Sequence, residues 1–159
     1  WKAIQIDAEG RVASSLTSLS GEMIHTTQMQ TILASAVPHE RPAEIDFAWC
    51  EAGMREQRRS GLARALFCVR LLEQSRQGTP EQRLAFLVGA FIASDLDALK
   101  SRGTLNESVL IVGSGTLAEA WRRALSVAGI QAEALDAVAS EHALLTGLNG
   151  ILARVLSAN

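Results

Sequence analysis

The strongest restriction on this chain is the run Val109-Leu110-Ile111-Val112-Gly113-Ser114-Gly115-Thr116-Leu117-Ala118. Ser108 to Val112 reads as a continuous apolar strand of the kind buried in parallel sheets. It leads directly into a Gly-x-Gly turn, and helical spacing begins at Thr116. That helix places Leu117, Ala120, Trp121, Ala124, Leu125 and Ala128 on one face, with Glu119, Arg122 and Arg123 opposite, and Gly129 ends it. Two glycines allow a tight bend and let a ligand approach the main chain. The first helical amides then face whatever sits there, and the helix dipole favours an anion or polar acceptor. Ligands of open parallel sheets lie at this carboxyl edge.

The same residues admit two other readings. Thr116-Leu-Ala-Glu119 is itself a capping box, so the turn can be a plain bend in a ligand-free, non-enzymatic interaction domain. Gly113-x-Gly115-x-x-Ala118 also matches the NAD(P)-binding Rossmann fingerprint, with Asp136 near the place of the ribose-binding acid. Against that, one helix follows Asp136, whereas such a domain needs a further β-α-β. A hairpin and three helices also precede the motif, which normally opens its domain.

The remainder of the chain supplies those preceding elements. Trp1 to Asp7, with Ile4 and Ile6 on one face, the turn Ala8-Glu9-Gly10, and Arg11 to Leu19 predict a β-hairpin. A helix is expected from about Glu22 to Ser35, followed by a connector holding Pro38 and Pro42. Ala43 to Gln77 is helical in pattern, with interruptions expected near Gly53 and Gly61 and an apolar stripe of Leu62, Leu66, Val69 and Leu72. Gly78-Thr79-Pro80-Glu81-Gln82 ends one helix and opens the next with a capping box and proline in the first turn. Leu84 to Ile92 is apolar nearly all round and belongs inside the structure. After the glycine turn, Ile130 to Leu135 reads as a strand. Val138 to Leu156 reads as a helix with Leu145, Leu148, Leu152 and Val155 inward. The expected order is β-β-α-α-α-β-α-β-α.

With 159 residues, 48% of them hydrophobic, the chain fits one domain with a proper core. Aromatics are 4% and Tyr is absent, which argues against base-stacking or carbohydrate-stacking surfaces. A net charge of −2 predicts no broad attraction to nucleic acid or membrane. The longest apolar run, Leu84 to Ala93, is too short for a bilayer span, and no secretory leader is visible. Cys50 and Cys68 read as free thiols in a reducing, cytoplasmic setting. The first residue is Trp1, and its position inside a strand suggests a cut from a longer polypeptide.

Taken together, these segments resemble the C-terminal portion of the 2-keto-3-deoxygalactonate kinase family, sugar-acid kinases of the actin/hexokinase/Hsp70-type fold. Trp1-Lys2 is similar to the tail of the family's Gly-Thr-His-x-Lys-Trp phosphate loop. Leu19-Ser20-Gly21-Glu22 resembles its Leu-Thr-Gly-Glu segment, with Ser20 in place of Thr. Leu66-Phe67-Cys68-Val69-Arg70 resembles its Leu-Phe-x-Val-Arg helix, and Phe86-Leu87-Val88-Gly89-Ala90 its apolar helix. Val112-Gly113-Ser114-Gly115-Thr116-Leu117 resembles the adenosine-binding turn, and Leu145-Thr146-Gly147-Leu148 the terminal helix.

The resemblance implies an α/β, three-layer RNase H-like (actin-type) domain that supplies the nucleotide-binding half of a two-domain kinase. It implies ATP with Mg²⁺, and 2-keto-3-deoxy-galactonate as the sugar acid phosphorylated on its terminal hydroxyl in galactonate breakdown. The nucleotide would meet Gly113, Ser114, Gly115, Thr116, Gly89 and Lys2, and the substrate would meet Glu22. No catalytic residue or metal ligand is assigned within the chain, because the first phosphate loop, main substrate pocket and base precede Trp1 in this family. The chain alone is then expected to hold ATP weakly and to transfer nothing.

Several of these residues also have plain structural readings. Glu22 can stabilise a helix start, and Gly89 in a buried helix can mark the close approach of another helix. Arg70, interrupting an apolar stretch, reads as ion-paired. His25, His39 and His142 suggest no Ser/His/Asp or Cys/His arrangement.

Overall fold

The computed structural model describes residues 1–105, 108–113 and 115–157. It divides into two compact units, Trp1–Glu107 and Ser108–Asn159.

The first unit opens with β1 (Lys2–Ile6) and β2 (Val12–Thr17), an antiparallel hairpin in which Lys2 lies opposite Thr17 and Ile6 opposite Val12. The Asp7 carboxylate shapes the turn, accepting the amides of Glu9 at 3.1 Å and Arg11 at 2.8 Å. Gly10 supplies the positive φ of 78° that a side chain would resist. Ile4 and Ile6 share a face as their spacing predicts, but that face is exposed, at 54% and 50%.

Four helices follow: α1 (Ser20–Gln30), α2 (Phe47–Ser60), α3 (Leu62–Gln74) and α4 (Pro80–Ser101). The expected order therefore lacks one helix. The region from Ala43 to Gln77 holds two, parted at Gly61, whose φ of 82° breaks the helical path. Gly53, expected to interrupt, lies inside α2. The first helix ends at Gln30, short of Ser35, because Thr31 is extended and its hydroxyl bonds back to the Thr27 carbonyl at 2.7 Å.

Helix α4 starts as predicted. Thr79 Oγ1 accepts the Gln82 amide at 3.2 Å, the Gln82 side chain accepts the Thr79 amide at 3.0 Å, and Pro80 occupies the first turn. It is the central element of this unit, buried continuously from Arg83 to Ala93. Helix α2 crosses it so closely that a Cβ on Gly53 would strike the Phe86 carbonyl and one on Gly89 the Cys50 carbonyl. Glycine at both positions is what lets the two backbones touch.

Two buried polar side chains tie the connectors to this core. Gln28 donates to the carbonyls of Pro38 and His39. Arg83 donates to the carbonyls of Ala36 at 2.6 Å and Gly78 at 2.7 Å. Arg70 is ion-paired with Glu73, as its setting in the sequence suggests.

The second unit contains β3 (Ser108–Ile111), α5 (Thr116–Val127), β4 (Gln131–Ala134) and α6 (Ala137–Ser157). The two strands pair in parallel, with Ser108 opposite Gln131 and Ile111 opposite Ala134. A parallel pair needs a crossover between its strands, and α5 provides it. This helix buries Ala120, Ala124 and Leu125. It ends at Gly129, with φ 77° and the Ile130 amide bonded to the Leu125 carbonyl at 2.9 Å.

Two expectations change here. The strand before the glycine turn is not buried on both faces, since Leu110 and Val112 are exposed at 57% and 66%. Leu145, Leu148, Leu152 and Val155 do not face inward, and all four are exposed. The architecture is mixed α/β, and the strands form two separate two-stranded sheets among the described residues.

Candidate functional site

The glycine turn lies between β3 and α5. Gly113 has φ 154° and Gly115 φ 82°, backbone that L side chains rarely adopt. Around both, the space where a Cβ would point is open to 4 Å. Both glycines are exposed. Ser114 lies outside the described residues.

Gly115 is the N-cap of α5 and Thr116 its first helical residue. The cap falls on Gly115 rather than on Thr116, where the sequence suggests a capping box with Glu119. Gly115 brings no side chain to the cap, and the Glu119 carboxylate turns to two arginines instead. It accepts from Arg122 Nε at 2.7 Å, Arg122 Nη2 at 2.8 Å and Arg123 Nε at 2.6 Å. Those bonds hold its carboxyl at about 2, down from 4.5. The start of α5 thus offers main-chain amides at an open bend, the geometry that suits an anionic ligand.

Asp136 does something different from reading a ribose. Its carboxylate accepts the Ala139 amide at 2.7 Å and its carbonyl the Ser140 amide at 2.9 Å, so it caps α6.

The other candidate residues lie in the first unit. Lys2 is exposed on β1, on the same face as Ile4 and Ile6. Glu22 is exposed in the first turn of α1. Gly89 is buried in α4, and the direction its Cβ would take is filled by the backbone of α2. Packing against a helix accounts for a glycine there.

Sequence reasoning missed the polar cluster that joins these parts. Asp95 of α4 is buried, and its carboxylate accepts Trp1 Nε1 at 2.7 Å, Ser18 Oγ at 3.1 Å and Ser20 Oγ at 2.7 Å. The available signal was an acid at helical spacing from Phe91, Ile92 and Leu99, hence on the inward face of an apolar helix.

Both thiols are free. Burial pushes the Cys50 thiol up to about 12, and burial with the nearby Glu56 also raises Cys68. Neither is a ready nucleophile. Cys68, Glu56, Leu71, Leu72 and Phe86 are among the residues lining a cavity of about 280 Å³. No helix among the described residues is long and apolar enough to cross a membrane.

By architecture this is a mixed α/β protein in which a strand, glycine turn, helix and strand follow a hairpin and four helices. The chain belongs to the 2-keto-3-deoxy-galactonokinase family, whose profile matches residues 2–151. It is 31% identical over 145 residues to a protein of Rhizobium meliloti (strain 1021) named a probable 2-dehydro-3-deoxygalactonokinase, covering 89% of this chain and 46% of that one. A solved structure from Sinorhizobium meliloti, described as a candidate 2-dehydro-3-deoxygalactonokinase, superposes with a TM-score of 0.75 at 26% identity. That match covers 88% of this chain and 47% of the other. The chain therefore spans just under half the length of these relatives.

Proposed function

We propose that this chain is the C-terminal, nucleotide-binding half of a cytoplasmic sugar-acid kinase that phosphorylates 2-keto-3-deoxy-galactonate with ATP and Mg²⁺. The observation that carries the reading is the open glycine turn at Gly113 and Gly115, heading α5 in a chain of this family. In this reading the two units contribute to an actin-type, RNase H-like architecture completed by an N-terminal domain. The length of the relatives supports such a partner. Ile4 and Ile6 on the hairpin, and separately Leu145 and Leu152 on α6, are exposed apolar side chains that such a domain could cover.

The residues present fit a nucleotide. Gly113 and Gly115 leave room where side chains would obstruct it, and Thr116 begins a helix whose first amides and dipole favour a phosphate or polar acceptor. Ser114 is proposed as a further nucleotide contact, Lys2 is proposed to meet the phosphates, and Glu22 the sugar acid. Gly89 enters the proposal through the backbone it lets α4 bring close to α2.

Phosphoryl transfer depends on placing the γ-phosphate and neutralising its charge. The Lys2 ammonium can supply part of that charge. Among the described residues no three His, Cys, Asp or Glu gather into a metal cage.

The test is a coupled assay of ADP release with 2-keto-3-deoxy-galactonate. Full-length protein carrying this chain is expected to turn over at an enzyme-like rate, and the 159-residue chain alone is expected to be silent. Turnover by the isolated chain, or none by the full-length protein, overturns the proposal.

A further inference from the structure

The buried carboxylate of Asp95 gathers donors from places far apart in the sequence. The Trp1 indole N–H reaches Oδ2 at 2.7 Å, while the hydroxyls of Ser18 and Ser20 reach Oδ1 at 3.1 Å and 2.7 Å. The two hydroxyls also touch each other at 2.6 Å. Trp1 enters β1, Ser18 follows β2, and Ser20 begins α1, so one side chain of α4 fixes the open end of the hairpin and the start of the next helix together. The ladder closes at the same place, where the Ser18 amide donates to the Trp1 carbonyl at 3.0 Å.

Helix α1 has no side-chain cap of its own, because its N-cap is Leu19. A carboxylate supplied by α4 at Ser20 puts negative charge at this positive helix end. A buried carboxylate is tolerated only when its oxygens are satisfied. Here the Trp1 indole N–H donates to Oδ2, and the two serine hydroxyls, which share a pair of protons between themselves and Oδ1, complete a charge-assisted network. The cluster is thus a rigid joint whose arms are one and two residues from Lys2 and Glu22.

We infer that Asp95 is a positioning residue, which fixes the β1 entry bearing Lys2 and the α1 start bearing Glu22 in one arrangement for phosphoryl transfer. This rests on the kinase reading. It adds a residue on α4 that touches neither nucleotide nor sugar acid and acts through Trp1 and Ser20.

The test uses full-length protein carrying Asp95→Asn, whose side-chain amide keeps the shape but removes the charge and places a donor against donors. At a temperature where the variant stays folded, kcat is expected to fall tenfold or more, with KM for ATP within twofold of wild type. A kcat unchanged in folded protein overturns the inference, as does a loss confined to thermal stability.

Hydrogen exchange separates this outcome from failure of the kinase reading. The Trp1 indole N–H and the first amides of α1 are expected to exchange at least tenfold faster in the variant, with amides of α4 around Ala93 unchanged. That pattern supports the joint even if the wild-type protein phosphorylates nothing. Unchanged exchange at Trp1 and α1, or a uniform rise through α2 and α4, overturns it.

Discussion

Gly89 and Gly53 show how a single residue type decides a crossing. Each sits where the carbonyl of the opposing helix would meet its Cβ, Cys50 for Gly89 and Phe86 for Gly53. A Gly→Ala change in a helix ordinarily gains about 1 kcal/mol in propensity. Here the methyl group meets backbone, which cannot swing aside, and overpacking of that kind costs about 1–3 kcal/mol or more. Gly89→Ala is therefore expected to destabilise by about 2 kcal/mol in denaturant unfolding. Gly147→Ala, on α6 with open space within 4 Å, is expected to be neutral or stabilising by up to about 1 kcal/mol. Equal effects at the two sites would contradict the crossing.

At the scale of the element, α5 is held on its exposed side by Glu119, Arg122 and Arg123. The folded-state carboxyl lies at about 2 against 4.5 unperturbed, so the unfolded chain binds this proton more readily. The stabilisation is complete above about 4.5 and is lost as pH falls toward 2. With 38% of the Glu119 side chain exposed, solvent screening keeps it below about 1 kcal/mol. Glu119→Gln should remove that acid-side slope from the unfolding free energy of the variant. A slope identical to wild type between about pH 5 and about pH 2 would show that the arginine pairs do not hold α5.

Elements governed by neighbouring residues were legible in the sequence. Thr79, Pro80 and Gln82 announce α4 because a capping box closes within four residues, and Gly129 announces the end of α5 for the same local reason. Glycine was harder to read. At Gly61 it parts two helices, whereas at Gly53 it serves a packing contact inside one, and only the opposing helix distinguishes these uses. The partners of Asp95 were illegible for a related reason, since they lie 75 to 94 residues away along the chain. In α6 the spacing of Leu145, Leu148, Leu152 and Val155 marks an apolar stripe but does not show that it turns inward, and all four are exposed. Periodicity gives such a face but not what covers it.

At the scale of the whole molecule, the glycine turn was the readable part of the candidate site, because strand, turn and helix are contiguous. The proposed contributions of Lys2 and Glu22 depend on how Trp1, Ser18 and Ser20 meet on Asp95, which local spacing does not encode. The central claim is that main-chain amides at an open bend bind the nucleotide. Its most direct test is calorimetric titration of Mg²⁺-ADP into full-length protein, wild type against Gly115→Val. Gly129→Val serves as the control, since that glycine has a similar φ, 77° against 82°, at the other end of α5. The account predicts at least tenfold weaker binding for Gly115→Val and affinity within twofold of wild type for the control. Equal affinity in wild type and Gly115→Val would contradict it.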